Sequence, residues 1–337
     1  MFKFKNLIAI ITLWVLISSC TVLTNYFGNT KTNQWMGQNK SLIESKNLSQ
    51  ITIPSSYVSG SYAINKNSEI CAGELISNSN NAQLYKLLID SESFNNKQIF
   101  NSFITTKNSI SKQLERGIRY LDLPLCAQNN QIFTSNIYIG DTFDNINKQI
   151  ISFLNKHSNE IVIVDLDNNL WGESGKMSSQ DINLVYQSII DTYGNLIIEK
   201  STTNSFNIGS IMKQSGRILI ITNNPLLYKH NEIWHKDQLF VEISSKHWAT
   251  IKKLTNLQIA LETIPELESE NKFMITPIYS YYDTSIISLD EINNQFNNQL
   301  IADYLLTLPE SAVLNIIVSD GRNIDAVTKF ATRNFND

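Results

Sequence analysis

Apolar residues along this 337-residue chain fall into short runs rich in β-branched side chains, separated by polar stretches with a helical period. The runs are 51–54 (ITIP), 117–125 (GIRYLDLPL), 132–136 (IFTSN), 161–166 (IVIVDL), 217–222 (RILIIT), 238–243 (QLFVEI), 272–276 (KFMIT) and 314–320 (LNIIVSD). Continuous apolar runs read as strands buried on both faces of a sheet. Between them, Ile146, Ile150, Ile151 and Leu154 share one face of a helix over 144–155. Helical patterns also cover 184–198, 289–308 before Pro309, and 324–335, where Val327, Phe330 and Ala331 fall together. Eight strands alternating with helices predict an α/β fold, a single (β/α)8 barrel of the TIM type. Residues 127–131 are too few for a crossover helix. The second and third runs are therefore expected as an antiparallel hairpin turned at Asn129–Asn130, which makes the barrel irregular.

The first twenty residues follow another rule. Lys3 and Lys5 precede an apolar run from Leu7 to Ile17 that ends in Ser18, Ser19 and Cys20. The run is too short for a bilayer span, which takes about 20 residues, and reads as a secretory signal. Ile17-Ser18-Ser19-Cys20 resembles the lipobox of bacterial lipoproteins, which implies lipidation at Cys20 and an extracytoplasmic protein held to a membrane. Thr21, where retained lipoproteins have Asp, points to an outer membrane; plain secretion is the alternative. Residues 21–50 are rich in Asn, Lys, Ser and Thr and are expected as a flexible polar tether, with the barrel domain over 51–337.

Composition narrows the function classes. With 42% hydrophobic residues, 12 Gly and 6 Pro, collagen-like, disordered and multi-span membrane chains are excluded. Twenty-seven basic against 31 acidic residues, net −4, with no basic cluster, argues against nucleic acid as a partner. Besides Cys20 the cysteines are Cys71 and Cys126. In an oxidising compartment they form either a disulfide or two separately buried thiols, and spacing does not choose.

Four segments carry a resemblance. Residues 51–62 (ITIPSSYVSGSY), 109–123 (SISKQLERGIRYLDL), 153–165 (FLNKHSNEIVIVD) and 315–320 (NIIVSD) occur in that order. Together they resemble the X region of phosphatidylinositol-specific phospholipase C and its bacterial relatives, the phospholipase C-like phosphodiesterases, over roughly residues 50–335. The resemblance implies that family's irregular barrel and a reaction in which one His acts as base, a second as acid, and an Arg or calcium balances the phosphoryl charge.

At the matching positions this chain has other residues. The first His falls on Tyr57, the Asp or Asn after it on Val58, the second His on Asn136 and the phosphate-binding Arg on Pro124; Asp122 alone is retained. A phenol with pKa near ~10 is a poor base at neutral pH, Val binds no metal, and an amide delivers no proton. His157, His230, His235 and His247 match no catalytic position. Asp165, Asp167 and Asp320 end strands and are candidates, with Asp122, for a rebuilt carboxylate site; the alternative is capping of the following turns. Arg217, at a strand start, is a candidate ligand-binding residue.

The function expected is a catalytically degenerate lipoprotein that binds a phospholipid headgroup or other phosphodiester. The alternatives are an active phosphoric diester hydrolase using carboxylates or a metal, and a purely structural lipoprotein. No cofactor is expected, and a divalent metal enters only with the active enzyme. Oligomeric state is left open.

Overall fold

The computed structural model describes residues 31–77, 103–166, 170–202, 206–242, 273–277, 305–309, 312–319 and 324–335. Strands are numbered in chain order. One sheet contains β1 (Ile53–Ser56), β2 (Tyr120–Asp122), β6 (Val162–Asp165), β9 (Ile218–Thr222), β10 (Ile233–His235), β11 (Phe240–Glu242), β12 (Phe273–Pro277) and β13 (Ile316–Ser319). They pair in the order β10-β9-β6-β2-β1-β13-β12-β11, every pair parallel. This is the expected α/β barrel of the irregular TIM type.

The period of two along each strand divides the core. Leu121, Val162, Val164, Ile218 and Ile220 face outward onto helices, while Ile53, Tyr120, Ile163, Leu219, Ile221, Ile316 and Val318 fill the interior. The helix Phe143–Lys156 starts where Thr142 Oγ1 accepts from Asn145 N at 3.3 Å, and its apolar face, Ile146, Ile150, Phe153 and Leu154, is buried. The helix expected at 184–198 instead spans Ser179–Tyr193, because Ser178 and Asp181 form a capping box upstream and Gly194, at φ 47°, stops it.

Two expectations about strands need correction. The run 132–136 is not a barrel strand. The run 117–125 breaks at Leu123–Pro124 into barrel strand β2 and a separate strand, β3 (Leu125–Gln128), which forms the hairpin with β4 (Gln131–Asn136). Its turn does lie at Asn129–Asn130, with φ of 53° and 57°, the left-handed pair that a two-residue hairpin requires and that Asn tolerates. With β5 (Tyr138–Thr142), β7 (Leu170–Gly172) and β8 (Gly175–Lys176) the hairpin makes a second sheet, ordered β5-β4-β3-β7-β8. Its strands follow β2 and β6, so the sheet grows from the C-terminal end of the barrel. Cys71 and Cys126 are joined by a disulfide, Cα–Cα 6.1 Å, buried with Ile139 and Trp171, which ties the segment after β1 to this sheet.

The eighth barrel strand is β10, a run too short to register in the sequence pattern. Only four residues, Lys236–Leu239, join β10 to β11. Parallel neighbours need a dozen or more, so this connection cannot close the barrel, and among the described residues β10 and β11 are unpaired sheet ends.

Residues 31–50, expected as part of the tether, form the floor of the barrel instead. Trp35, Met36, Ile43 and Leu48 are at most 1% exposed and pack against the strand starts. Leu48 N donates to Phe206 O at 2.9 Å and Asn315 Nδ2 to Leu48 O at 2.9 Å. At their centre Arg119 and Glu160, both buried, pair at 2.6 Å. Arg119 also donates to Leu114 O and Ile118 O, both at 2.8 Å, and to Asn33 O at 3.0 Å, while Glu160 Oε1 accepts from Gly37 N at 2.8 Å. Burial lowers the Arg119 pKa, and the Glu160 charge opposes that shift. The polar composition of 21–50 concealed four apolar anchors spaced too irregularly to register as a helix. Residues 1–30, including Cys20, lie outside the described residues.

Candidate functional site

In a parallel barrel the strands' C-terminal ends form the mouth. Here the mouth contains Tyr57 just after β1, Asp122 at the end of β2 and Asp165 at the end of β6. Asp122 and Asp165 are register partners, two positions beyond the inward-facing pair Tyr120 and Ile163 and so on the same inward side by the alternation.

Asp122 holds backbone. Its Oδ2 accepts from Val58 N at 2.9 Å and its own amide donates to Ser59 Oγ at 3.1 Å, whose hydroxyl donates to Ser56 O at 2.8 Å. Val58 adopts φ 41°, ψ 60°, the left-handed region, and is 4% exposed. For a β-branched residue this is an outlier that costs of the order of 1–3 kcal/mol and persists only where surroundings enforce it. Thr105 adds a second restraint, its hydroxyl donating to Tyr57 O at 2.7 Å.

Asp165 is 2% exposed and carries a different set. Its Oδ2 accepts from Tyr120 Oη at 2.5 Å and from Lys236 Nζ at 2.6 Å. Lys236 comes from the four-residue connection at the open seam, and 13% of its side chain is exposed. The sequence offered no signal for Lys236, a single Lys in a polar loop, nor for Tyr120, which reads as a core aromatic. Asp165 was visible only as an Asp ending a strand.

The other candidates are dispersed. Asn136 ends β4, in the second sheet, and donates to Phe103 O at 2.7 Å; Pro124 O accepts from Ser135 N at 2.9 Å. Arg217 lies at the entrance of β9, the end opposite the mouth. Its guanidinium donates to the carbonyls of Ser158, Ile211 at 2.8 Å, Gln214 and Gly216 at 2.6 Å, and Met212 at 3.0 Å. It acts there as a clamp on loop backbone. Asp167, Asp320 and His247 lie outside the described residues.

None of the three described histidines supplies a mouth imidazole. Trp234 packs inward, so His235 points outward, where its ring stacks on Tyr228 at 4.2 Å. His230 stacks on Tyr186 at 3.8 Å. His157 caps its helix beside Phe153, with Nε2 3.6 Å from Glu115. Behind the mouth, burial raises the Tyr62 pKa, helped by the hydrogen bond of its hydroxyl to Asp141.

No family model matches the chain. Human PI-PLC X domain-containing protein 2 is 22% identical over 249 residues, covering 72% of this chain and 75% of that protein. The phosphatidylinositol-specific phospholipase C from Listeria monocytogenes superposes with a TM-score of 0.57 at 19% identity, covering 89% of this chain and 98% of the other. The Staphylococcus aureus enzyme gives 0.60 at 13% identity, covering 89% and 97%. The chain thus has the fold of the phosphatidylinositol-specific phospholipase C-like phosphodiesterases, an irregular α/β barrel with its mouth built on Asp122 and Asp165.

Proposed function

We propose that this is an exported barrel, anchored through a lipid on Cys20, that binds a phospholipid headgroup or another phosphodiester without hydrolysing it. The observation that carries the reading is Val58. The resemblance puts Asp or Asn at this position, and both tolerate the left-handed backbone that Val58 adopts at a cost. The loop backbone here is one that suits Asp or Asn, while the side chain it carries is Val. Three further points support the reading. The described histidines pack away from the mouth, Asp122 is committed to a backbone amide, and Pro124 brings no charge to balance a phosphoryl group. The buried disulfide suits an oxidising compartment. Among the described residues no helix is long and apolar enough to cross a membrane; the proposed attachment, a lipid on Cys20, rests on the resemblance of Ile17-Ser18-Ser19-Cys20 to a lipobox.

A second reading, an active diesterase, draws on the register pairing of Asp122 and Asp165, since neighbouring carboxylates can divide acid and base roles or hold a divalent ion. The deciding assay measures diesterase activity of the purified protein on phosphatidylinositol vesicles and on a chromogenic diester. It is run with calcium, magnesium, manganese or chelator, and beside Asp122→Ala. The expected result is binding with no turnover. Turnover that disappears in Asp122→Ala would establish the active enzyme.

A further inference from the structure

The mouth holds a cation that the family resemblance does not supply. Lys236 reaches Asp165 from the only described connection that crosses the open seam, a single helical turn flanked by strands that do not pair with each other. Its two partners differ in how firmly they are held. Asp165 is almost fully buried and also holds the Tyr120 hydroxyl, at 2.5 Å. Lys236 is partly exposed, on a flexible four-carbon stem, with three donors of which one lies 2.6 Å from Asp165 Oδ2. The described arginines of the barrel ends are not equivalent. Arg119 and Arg217 are buried at the floor end with their guanidinium groups engaged by carbonyls, and Arg119 also by Glu160.

We infer that Lys236 is the anion-binding residue of this barrel, and that Asp165 is its internal competitor. In the unliganded state the carboxylate holds the ammonium at the mouth; a phosphate-type oxyanion takes the ammonium over, and Tyr120 continues to hydrogen-bond the carboxylate left behind. The inference rests on the headgroup-binding reading and names the group that would carry it, in place of the cation missing at Pro124. The exchange replaces one charge-assisted bond with another, so it proceeds once the anion is delivered at sufficient concentration. Asp165 then sets a threshold: it keeps the ammonium oriented but subtracts its own attraction from the net affinity.

The two variants have opposite expected signs. Calorimetric titration of the full-length protein with inorganic phosphate, at fixed ionic strength, should weaken about tenfold or more in Lys236→Met and be largely retained in Lys236→Arg. Asp165→Asn, which keeps an acceptor for Tyr120 and removes the charge that competes for the ammonium, should bind phosphate about threefold tighter or better. A role for the pair in structure alone predicts weakening in both. Parallel titrations with glycerophosphoinositol and with phosphatidylinositol vesicles separate a soluble diester from a lipid headgroup as source. Equal phosphate binding by wild type and Lys236→Met would overturn the inference and leave headgroup binding standing. Weaker binding by Asp165→Asn, with its circular dichroism unchanged, would overturn the competition. Absence of binding to all three probes, in wild type and Asp165→Asn alike, would remove both the inference and the reading beneath it.

Discussion

Two ion pairs lie at opposite ends of one barrel, and they are built differently. At the floor, Arg119 and Glu160 are both within 1% of complete burial, and their remaining donors and acceptors meet backbone groups of the N-terminal segment and of the strand and helix ends. At the mouth, Asp165 is similarly buried, but its cation is partly exposed and belongs to a short connection at the seam. A buried pair gains over its desolvation cost only when every remaining hydrogen-bonding group is satisfied. The floor meets that condition in part with Asn33 O, 86 residues from Arg119, and Gly37 N, 123 residues from Glu160, which makes the pair a fastener between segments. The mouth pair joins a buried carboxylate to a side chain that keeps some contact with solvent, the arrangement expected of a group that has another partner to meet.

The sharpest way to break this contrast is Glu160→Gln. It leaves the Arg119 charge buried without a counter-ion, and unfolding free energy from urea titration should fall by about 3–5 kcal/mol. A loss below about 1 kcal/mol would put the two pairs in one class. Lys236→Met should cost less, about 1–3 kcal/mol, because the lysine keeps some exposure and Tyr120 still hydrogen-bonds the carboxylate left behind. A loss as large as that at Glu160 would make the mouth pair a fastener too. Smallest of all is Val58→Asn. Relief of left-handed strain, about 1–3 kcal/mol, should offset the two buried methyl groups removed, leaving stability within about 1 kcal/mol of wild type. A clear loss would show that the loop does not strain Val58.

The sequence made the mouth more legible than the floor. Asp122 and Asp165 are visible as acids ending apolar runs, and the Asn129–Asn130 turn declares itself because only a few residue types accept positive φ. Lys236 and Tyr120 gave no such signal, since their role depends on two strands meeting at a distance. The floor was illegible for a different reason. Trp35, Met36, Ile43 and Leu48 sit on turns too short to show a period, in a stretch whose average polarity resembles a linker. Nothing in the sequence pairs Arg119 with Glu160, which lie 41 positions apart and are buried together only once the N-terminal segment is in place. The strand Ile233–His235 went unseen because three residues in a polar stretch present no alternation to detect.

One consequence of the floor concerns direction. Because the chain enters the barrel from below, anything that holds its N-terminus pulls on the end away from Asp122 and Lys236. Twelve residues separate Cys20 from Thr32, a reach of roughly 40 Å at full stretch. In the proposed lipid-anchored state the tether therefore meets the barrel at the end opposite the ligand mouth, and a reach of that order lets the mouth meet the anchoring leaflet or a facing surface alike.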